Sequence, residues 1–257
     1  MVVSSRPHEA VVKAQFGPRA AAYVESPTHA RGEDLDRIEA LARERRAHLA
    51  VDLGCGGGHV AYRLARWSRR VVAIDLAEEM LNAVAARAES LSLPVIETLR
   101  GAAEDIPLDD GAADLVVTRF SAHHWTDLDA GLRETRRVLR ADGALVVVDV
   151  ISPGVPALDT HLQAVELLRD PSHVRDYGAG EWLAALERAG FAVSTVLAWR
   201  LPIEFPAWID RMATPPVQAQ AVRALQQQAS DATRAYFAIE ADGSFVLDAL
   251  IIEARPR

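Results

Sequence analysis

Residues 49–60 read Leu-Ala-Val-Asp-Leu-Gly-Cys-Gly-Gly-Gly-His-Val, and no other stretch restricts the fold as much. The first five residues form a short run, apolar except for Asp52, that stops at glycines. A run of that length and character suits a strand buried on both faces of a parallel sheet. Gly54, Gly56, Gly57 and Gly58 remove side chains where the backbone has to bend and where a ligand could lie against it. Residues 59–68 then read as a helix. A strand, a glycine turn and a helix start make a binding edge for an adenosine-bearing cofactor.

Spacing narrows the choice of cofactor. The dinucleotide fingerprint is G-x-G-x-x-G, its third glycine allowing helix and strand to pack closely beside a pyrophosphate. Gly54 and Gly56 supply the first two, but the third position falls on His59. An acid, Asp52, also heads the loop, which disfavours a phosphate and favours an ammonium group. S-adenosylmethionine carries an ammonium, a sulfonium, a ribose and an adenine, and no phosphate. A second apolar run, Val71-Val72-Ala73-Ile74, leads to Asp75, where an acid can accept both ribose hydroxyls.

Helix and strand signals then alternate with short connections. Residues 78–91 predict a helix with Met80, Leu81, Val84 and Ala88 on one face, and strands are expected at 95–100, 114–118 and 144–150. Repeated β-α units imply a parallel, doubly wound sheet whose ligand lies at the C-terminal ends of the strands. The candidate site residues named so far, Asp52, the glycine turn and Asp75, all fall at such an end. Further along, helices are expected at 161–168 and 180–189 and a strand at 193–199. Residues 200–242 read as a helical insertion, and 245–254 as a last, antiparallel strand.

Five ordered motifs carry a family resemblance: Asp52-Leu53-Gly54-Cys55-Gly56-Gly57-Gly58, Ala73-Ile74-Asp75, residues 101–108, Ala113-Asp114-Leu115-Val116-Val117, and residues 137–145. Together they resemble the class I S-adenosylmethionine-dependent methyltransferases, in particular the small-molecule branch that includes the ubiquinone/menaquinone C-methyltransferases and biotin-pathway enzymes. The resemblance covers residues 10–155, and more loosely the rest. It implies an α/β fold with a three-layer, Rossmann-like, seven-stranded sheet, mostly parallel with an antiparallel last strand. It divides the chain into a cofactor-covering segment (1–33), a cofactor-binding core (34–155) and an acceptor-side half (156–257).

On this resemblance Asp52, Gly54 and Gly56 hold the methionine portion of the cofactor and Asp75 the ribose, and Cys55 and Leu76 also bind the cofactor. Ala103 and Glu104 face the adenine edge, Phe120 lines the ribose and sulfonium region, and Tyr23 closes the pocket. The chain departs from the family at Ala102, where relatives often place an adenine-binding Asp. Residues 118–125 lie beneath the transferable methyl, which makes the adjacent His123 and His124 candidates for a base. Trp182, Trp199, Phe205, Trp208 and Tyr236 are candidates to line an acceptor pocket.

A sulfonium is already an activated electrophile, so in-line transfer to a small-molecule acceptor needs mainly positioning. The only lysine, Lys13, precedes the core, and no nucleophile elbow is present, which argues against Schiff-base and hydrolase chemistry. One cysteine excludes an internal disulfide, and two adjacent histidines make a poor ligand set, so no metal is expected. The net charge of −8 argues against a nucleic-acid partner. No apolar run approaches the roughly 20 residues that span a bilayer, and the start has no secretory stretch, so a cytoplasmic protein, with a homodimer as one option, is expected. Two alternatives stand beside the methyltransferase: an NAD(P)-dependent oxidoreductase, and a catalytically silent regulatory protein that binds S-adenosylmethionine.

Overall fold

The computed structural model describes residues 7–24 and 30–257; residues 1–6 and 25–29 of the expected covering segment lie outside the described residues. The chain opens with helices α1 (His8–Phe16), α2 (Ala20–Val24) and α3 (Glu33–Arg45). It then alternates through β1 (Leu49–Leu53), α4 (His59–Leu64), β2 (Arg70–Asp75), α5 (Glu78–Ser90), β3 (Ile96–Arg100) and β4 (Ala113–Arg119). Helix α6 (Leu128–Val138) and strand β5 (Leu139–Ile151) follow, then α7 (Pro156–Arg169), α8 (Ala179–Arg188) and β6 (Phe191–Ile203). Three helices, α9 (Phe205–Met212), α10 (Pro216–Gln228) and α11 (Asp231–Tyr236), separate β6 from β7 (Phe245–Pro256).

These strands form one seven-stranded sheet in the order β3-β2-β1-β4-β5-β7-β6. The pairs from β3 through β5 are parallel, while β7 lies antiparallel between β5 and β6. The crossover from β3 to β4 passes from one edge of the sheet to its middle, so β1 and β4 flank the point where the strand order reverses. In such sheets that crevice is the binding edge.

Apolar runs rather than alternating ones build the inner strands because both faces are covered. Val51, Leu53, Val72, Ile74 and Val147 turn to one face, packed with Leu132 of α6 and Trp182 and Leu186 of α8. Ala50, Val71, Ala73, Val117 and Val148 turn to the other, against Leu35 and Ile38 of α3, Leu64 of α4 and Val84 of α5. A third apolar cluster, with Leu162 of α7, Trp208 of α9, Val222 of α10 and Phe237, packs on Phe245 and Leu247 and fixes the helical segment over the end of the sheet. Most element boundaries lie within a few residues of the sequence expectation. Strand β6 runs on to Ile203, into the expected helical insertion, because β7 pairs with it from Phe191 onward.

Candidate active site

The turn after β1 is built as its glycines predict. Gly54, Gly56 and Gly58 have φ of 72°, 47° and 76°, and the amides of Gly54 and Cys55 both donate to the carbonyl of Ile74 at 2.9 Å, tying the loop to the end of β2. A β-carbon on Gly54 would lie 1.8 Å from Ser121 Oγ, whereas one on Gly56 would meet nothing within 4 Å. The loop is therefore closed on the protein side and open on the other. It faces a cavity of about 1010 Å³, whose walls include Tyr23, Asp52, Asp75, Phe120 and His123.

Two carboxylates stand under this loop. Asp52 is buried and accepts from the amide of Ala61 in the first turn of α4 at 2.9 Å; burial pushes its pKa up to about 7, the Ala61 amide opposes this, and Asp75 adds to it. Asp75 accepts from the amides of Gly56 at 2.9 Å and Ala77 at 3.0 Å, and burial raises its pKa despite these bonds. Each oxygen spends one acceptor position on the backbone and keeps another for a ligand. Cys55 is buried, its thiol pushed well up by burial, and Leu76 borders the same cavity.

The remaining predicted residues surround the cavity in different ways. Ala103 and Glu104 lie on its rim, but Glu104 Oε1 accepts from the amide and hydroxyl of Thr126 at 2.8 and 2.9 Å, so one oxygen anchors the loop after His124. Phe120 sits at φ 50°, with the Arg119 guanidinium 4.8 Å above its ring. Arg119 is itself paired with Asp34 of α3, both side chains being almost fully buried. Tyr23 donates to Met212 Sδ at 3.0 Å, and its carbonyl accepts from His59 Nε2 at 2.9 Å, so it joins the glycine-loop helix to the end of α9. Of the aromatic candidates, Trp199 and Trp208 border the cavity. Trp182, Phe205 and Tyr236 do not: Trp182 is core, Phe205 packs beside Trp208, and Tyr236 donates to Asp248.

His123 and His124 follow β4 in a single tight turn, their rings 4.2 Å apart. His123 donates from Nδ1 to Asp149 Oδ1 at 2.6 Å, and its amide donates to Asp149 Oδ2 at 3.2 Å. Burial opposes the imidazolium, but the Asp149 charge and hydrogen bond outweigh it and push the His123 pKa up to about 9. His124 donates from Nδ1 to the Ser172 carbonyl at 3.0 Å; burial, and then the charge on His123, push its pKa down.

Sequence reasoning missed the acids around this pair. Asp149 lies in β5, and Glu166, Asp170 and Asp176 come from α7 and the segment after it, yet all four are buried beside the two histidines. Asp170 Oδ1 accepts from the amide and hydroxyl of Ser172 at 2.8 and 2.6 Å, and its Oδ2 is 4.0 Å from His124 Nε2. Glu166 pairs with Arg169 at 3.5 Å, and the Arg169 guanidinium lies 4.7 Å over Trp208. One signal was available in the sequence: Asp149 interrupts the otherwise apolar run of residues 144–151, as Asp52 interrupts β1.

With this geometry in place, comparison with known proteins is informative. The family described as methyltransferase domain matches residues 51–147, the span from β1 to β5. The Escherichia coli (strain K12) uncharacterized protein YafE is 45% identical over 201 residues, covering 78% of this chain and 97% of its own. The uncharacterized methyltransferase YcgJ of Bacillus subtilis (strain 168) is 32% identical over 247 residues, covering 94% and 98%. The crystal structure of YcgJ superposes with a TM-score of 0.84 over 88% of this chain and 98% of that one. The ordered motifs, the sheet with its antiparallel β7 and these full-length relatives agree: the chain belongs to the class I S-adenosylmethionine-dependent methyltransferases.

Proposed function

We propose that this chain binds S-adenosylmethionine at the glycine loop and transfers its methyl group to a small-molecule acceptor by in-line displacement. One observation carries the reading: a single cavity joins the loop and the Asp52–Asp75 edge to a chamber under α9 walled by Trp199 and Trp208. At about 1010 Å³ it reaches the top of the range for ligand sites, roughly 300–1,000 Å³, which leaves room for two ligands side by side.

The residues present fit the cofactor. Asp52 is buried near Asp75, whose charge raises the cost of ionising it, and a cationic ligand relieves this. The open side of Gly56 admits a ligand against the backbone, and Asp75 has acceptor positions left for a diol. When bound, S-adenosylmethionine supplies the activated methyl group. The chain's own residues orient it, exclude water with Tyr23 and α9, and hold the acceptor against His123 and His124. The same edge suits a dinucleotide badly: Arg119, beside the turn, is already paired with Asp34, and His59 takes the place of the third glycine.

The test is calorimetry of the purified protein with S-adenosylmethionine, S-adenosylhomocysteine and NAD in parallel, followed by methyl-transfer assays on small hydroxylated, amine and carbonyl compounds. Micromolar binding of the first two and none of NAD is expected. Binding of NAD alone would sink the reading; binding of the cofactor without turnover on any acceptor would favour a regulatory role.

A further inference from the structure

Beyond the cofactor edge, the wall of the acceptor chamber holds a cluster that the transfer reaction does not call for. One ligating atom from each of His123, Asp149 and Asp176 lies within 4.8 Å of the other two. The three come from separate parts of the chain: the turn after β4, the C-terminal half of β5, and the segment before α8. Asp149 and Asp176 are 1% and 2% exposed.

Asp176 is the informative member. Its Oδ2 is buried and has no hydrogen-bond partner. The nearest imidazole nitrogen, His173 Nε2, is 3.9 Å away and already donates to Gln163 Oε1 at 2.9 Å. The other nitrogen of His173, Nδ1, is also buried without a partner, and that ring is 5.8 Å from the ring of His123. Glu166, buried in the same region, adds a third carboxylate to Asp149 and Asp176. Buried acids in such number are held in folded proteins by paired cations or by metal coordination. Here Arg169 sits against Glu166 and His123 against Asp149, and among the described residues neither Asp149 nor Asp176 has an ion pair with a Lys or Arg.

We propose that His123, Asp149 and Asp176 bind one divalent cation of the Mn²⁺ or Zn²⁺ type, with coordination positions left open toward the acceptor chamber. One imidazole and two carboxylates form a borderline-to-hard ligand set that suits such ions. His123, Glu166 and Asp176 all border the cavity, so an oxygen of the acceptor can complete the coordination. The cation would occupy the position of the proton that His123 now donates to Asp149. That role for the acceptor rests on the methyl-transfer reading above; the cation site itself does not.

The experiment is calorimetric titration of chelator-treated protein with Mn²⁺ and with Zn²⁺, supported by electron paramagnetic resonance of bound Mn²⁺, for the wild type, Asp176→Asn and Asp149→Asn. S-adenosylmethionine affinity of each variant is measured separately as a check on folding. The expected result is one Mn²⁺ per chain, with affinity falling by at least the roughly 10- to 100-fold seen for lost outer-shell partners when Asp176 is replaced, and cofactor affinity unchanged. Asp149 also accepts backbone amides, so Asp176→Asn is decisive if Asp149→Asn fails to fold. Two outcomes overturn the proposal: no binding of either ion at millimolar concentration to protein that still binds the cofactor, or equal affinity in wild type and Asp176→Asn.

Discussion

On the proposed function, Asp75 serves fold and ligand together. Its oxygens hold the Gly56 and Ala77 amides, so Asp75→Ala removes the loop's anchor and, on that proposed function, the cofactor's diol acceptor. Hydrogen bonds to a charged acceptor are worth about 1.5–3 kcal/mol each, so S-adenosylmethionine affinity should fall at least about tenfold by calorimetry. An unchanged affinity would remove Asp75 from the ribose site. Gly54→Ala tests the same turn differently. The new methyl would collide with Ser121 Oγ at a φ that L-residues rarely adopt, and strain of this kind costs on the order of 1–3 kcal/mol. A drop of roughly 2–10 °C in melting temperature should follow.

Asp52 gives a pH dependence with a definite sign. Its folded pKa, about 7, is raised by burial and by Asp75 and eased by the Ala61 amide and Arg119. The unfolded chain ionises it near 4, so between pH 4 and 7 this group costs stability as pH rises. A cationic ligand favours the ionised form, so the melting-temperature gain from S-adenosylmethionine should be larger at pH 8 than at pH 6. Equal gains at both would separate Asp52 from the cofactor.

At the scale of elements, the strand-turn-helix unit and the alternation after it were legible because their signals are local. An apolar run, a glycine turn or a helical stripe declares itself within a dozen residues. The acceptor side was less legible because its parts are distant in sequence. Nothing near His123 announces Asp149 or Asp176; β4 and β5 pair, and α7 folds back, before those groups meet. Aromatic residues mislead in the same way, since Trp182 and Trp208 look alike in the sequence and only packing separates them. Trp182 is fully enclosed between α8 and the sheet, whereas Trp208 packs at 5.1 Å on Phe245 and borders the cavity. Replacing either with Ala should cost about 3–5 kcal/mol of stability. A stability-matched comparison of Trp208→Phe and Trp182→Phe should raise the acceptor KM in the former only.

For the whole molecule, cofactor binding and folding are linked. A ligand that binds only the folded chain adds about 2.7 kcal/mol at 100 times its Kd, which for a chain of this size raises the melting temperature by roughly 5–11 °C. S-adenosylhomocysteine should do the same, and NAD should not. Among the described residues no helix is long and apolar enough to cross a membrane.

The antiparallel β7 has a consequence for the order in which the sheet is made. Strand β5 is synthesised with its apolar residues 145–148 ready to pair, but the strand that covers its open edge begins only at Phe245. At bacterial or eukaryotic translation speeds of about 5–20 residues per second, a nascent chain carries that edge unpaired for roughly 5–20 s. Strand β6 emerges meanwhile and has no partner except the absent β7. An unpaired apolar edge is a template for other chains. The ribosome-bound protein is thus most vulnerable to self-association during synthesis of α9 to α11, and a chaperone that shields β5 in that interval would raise its yield.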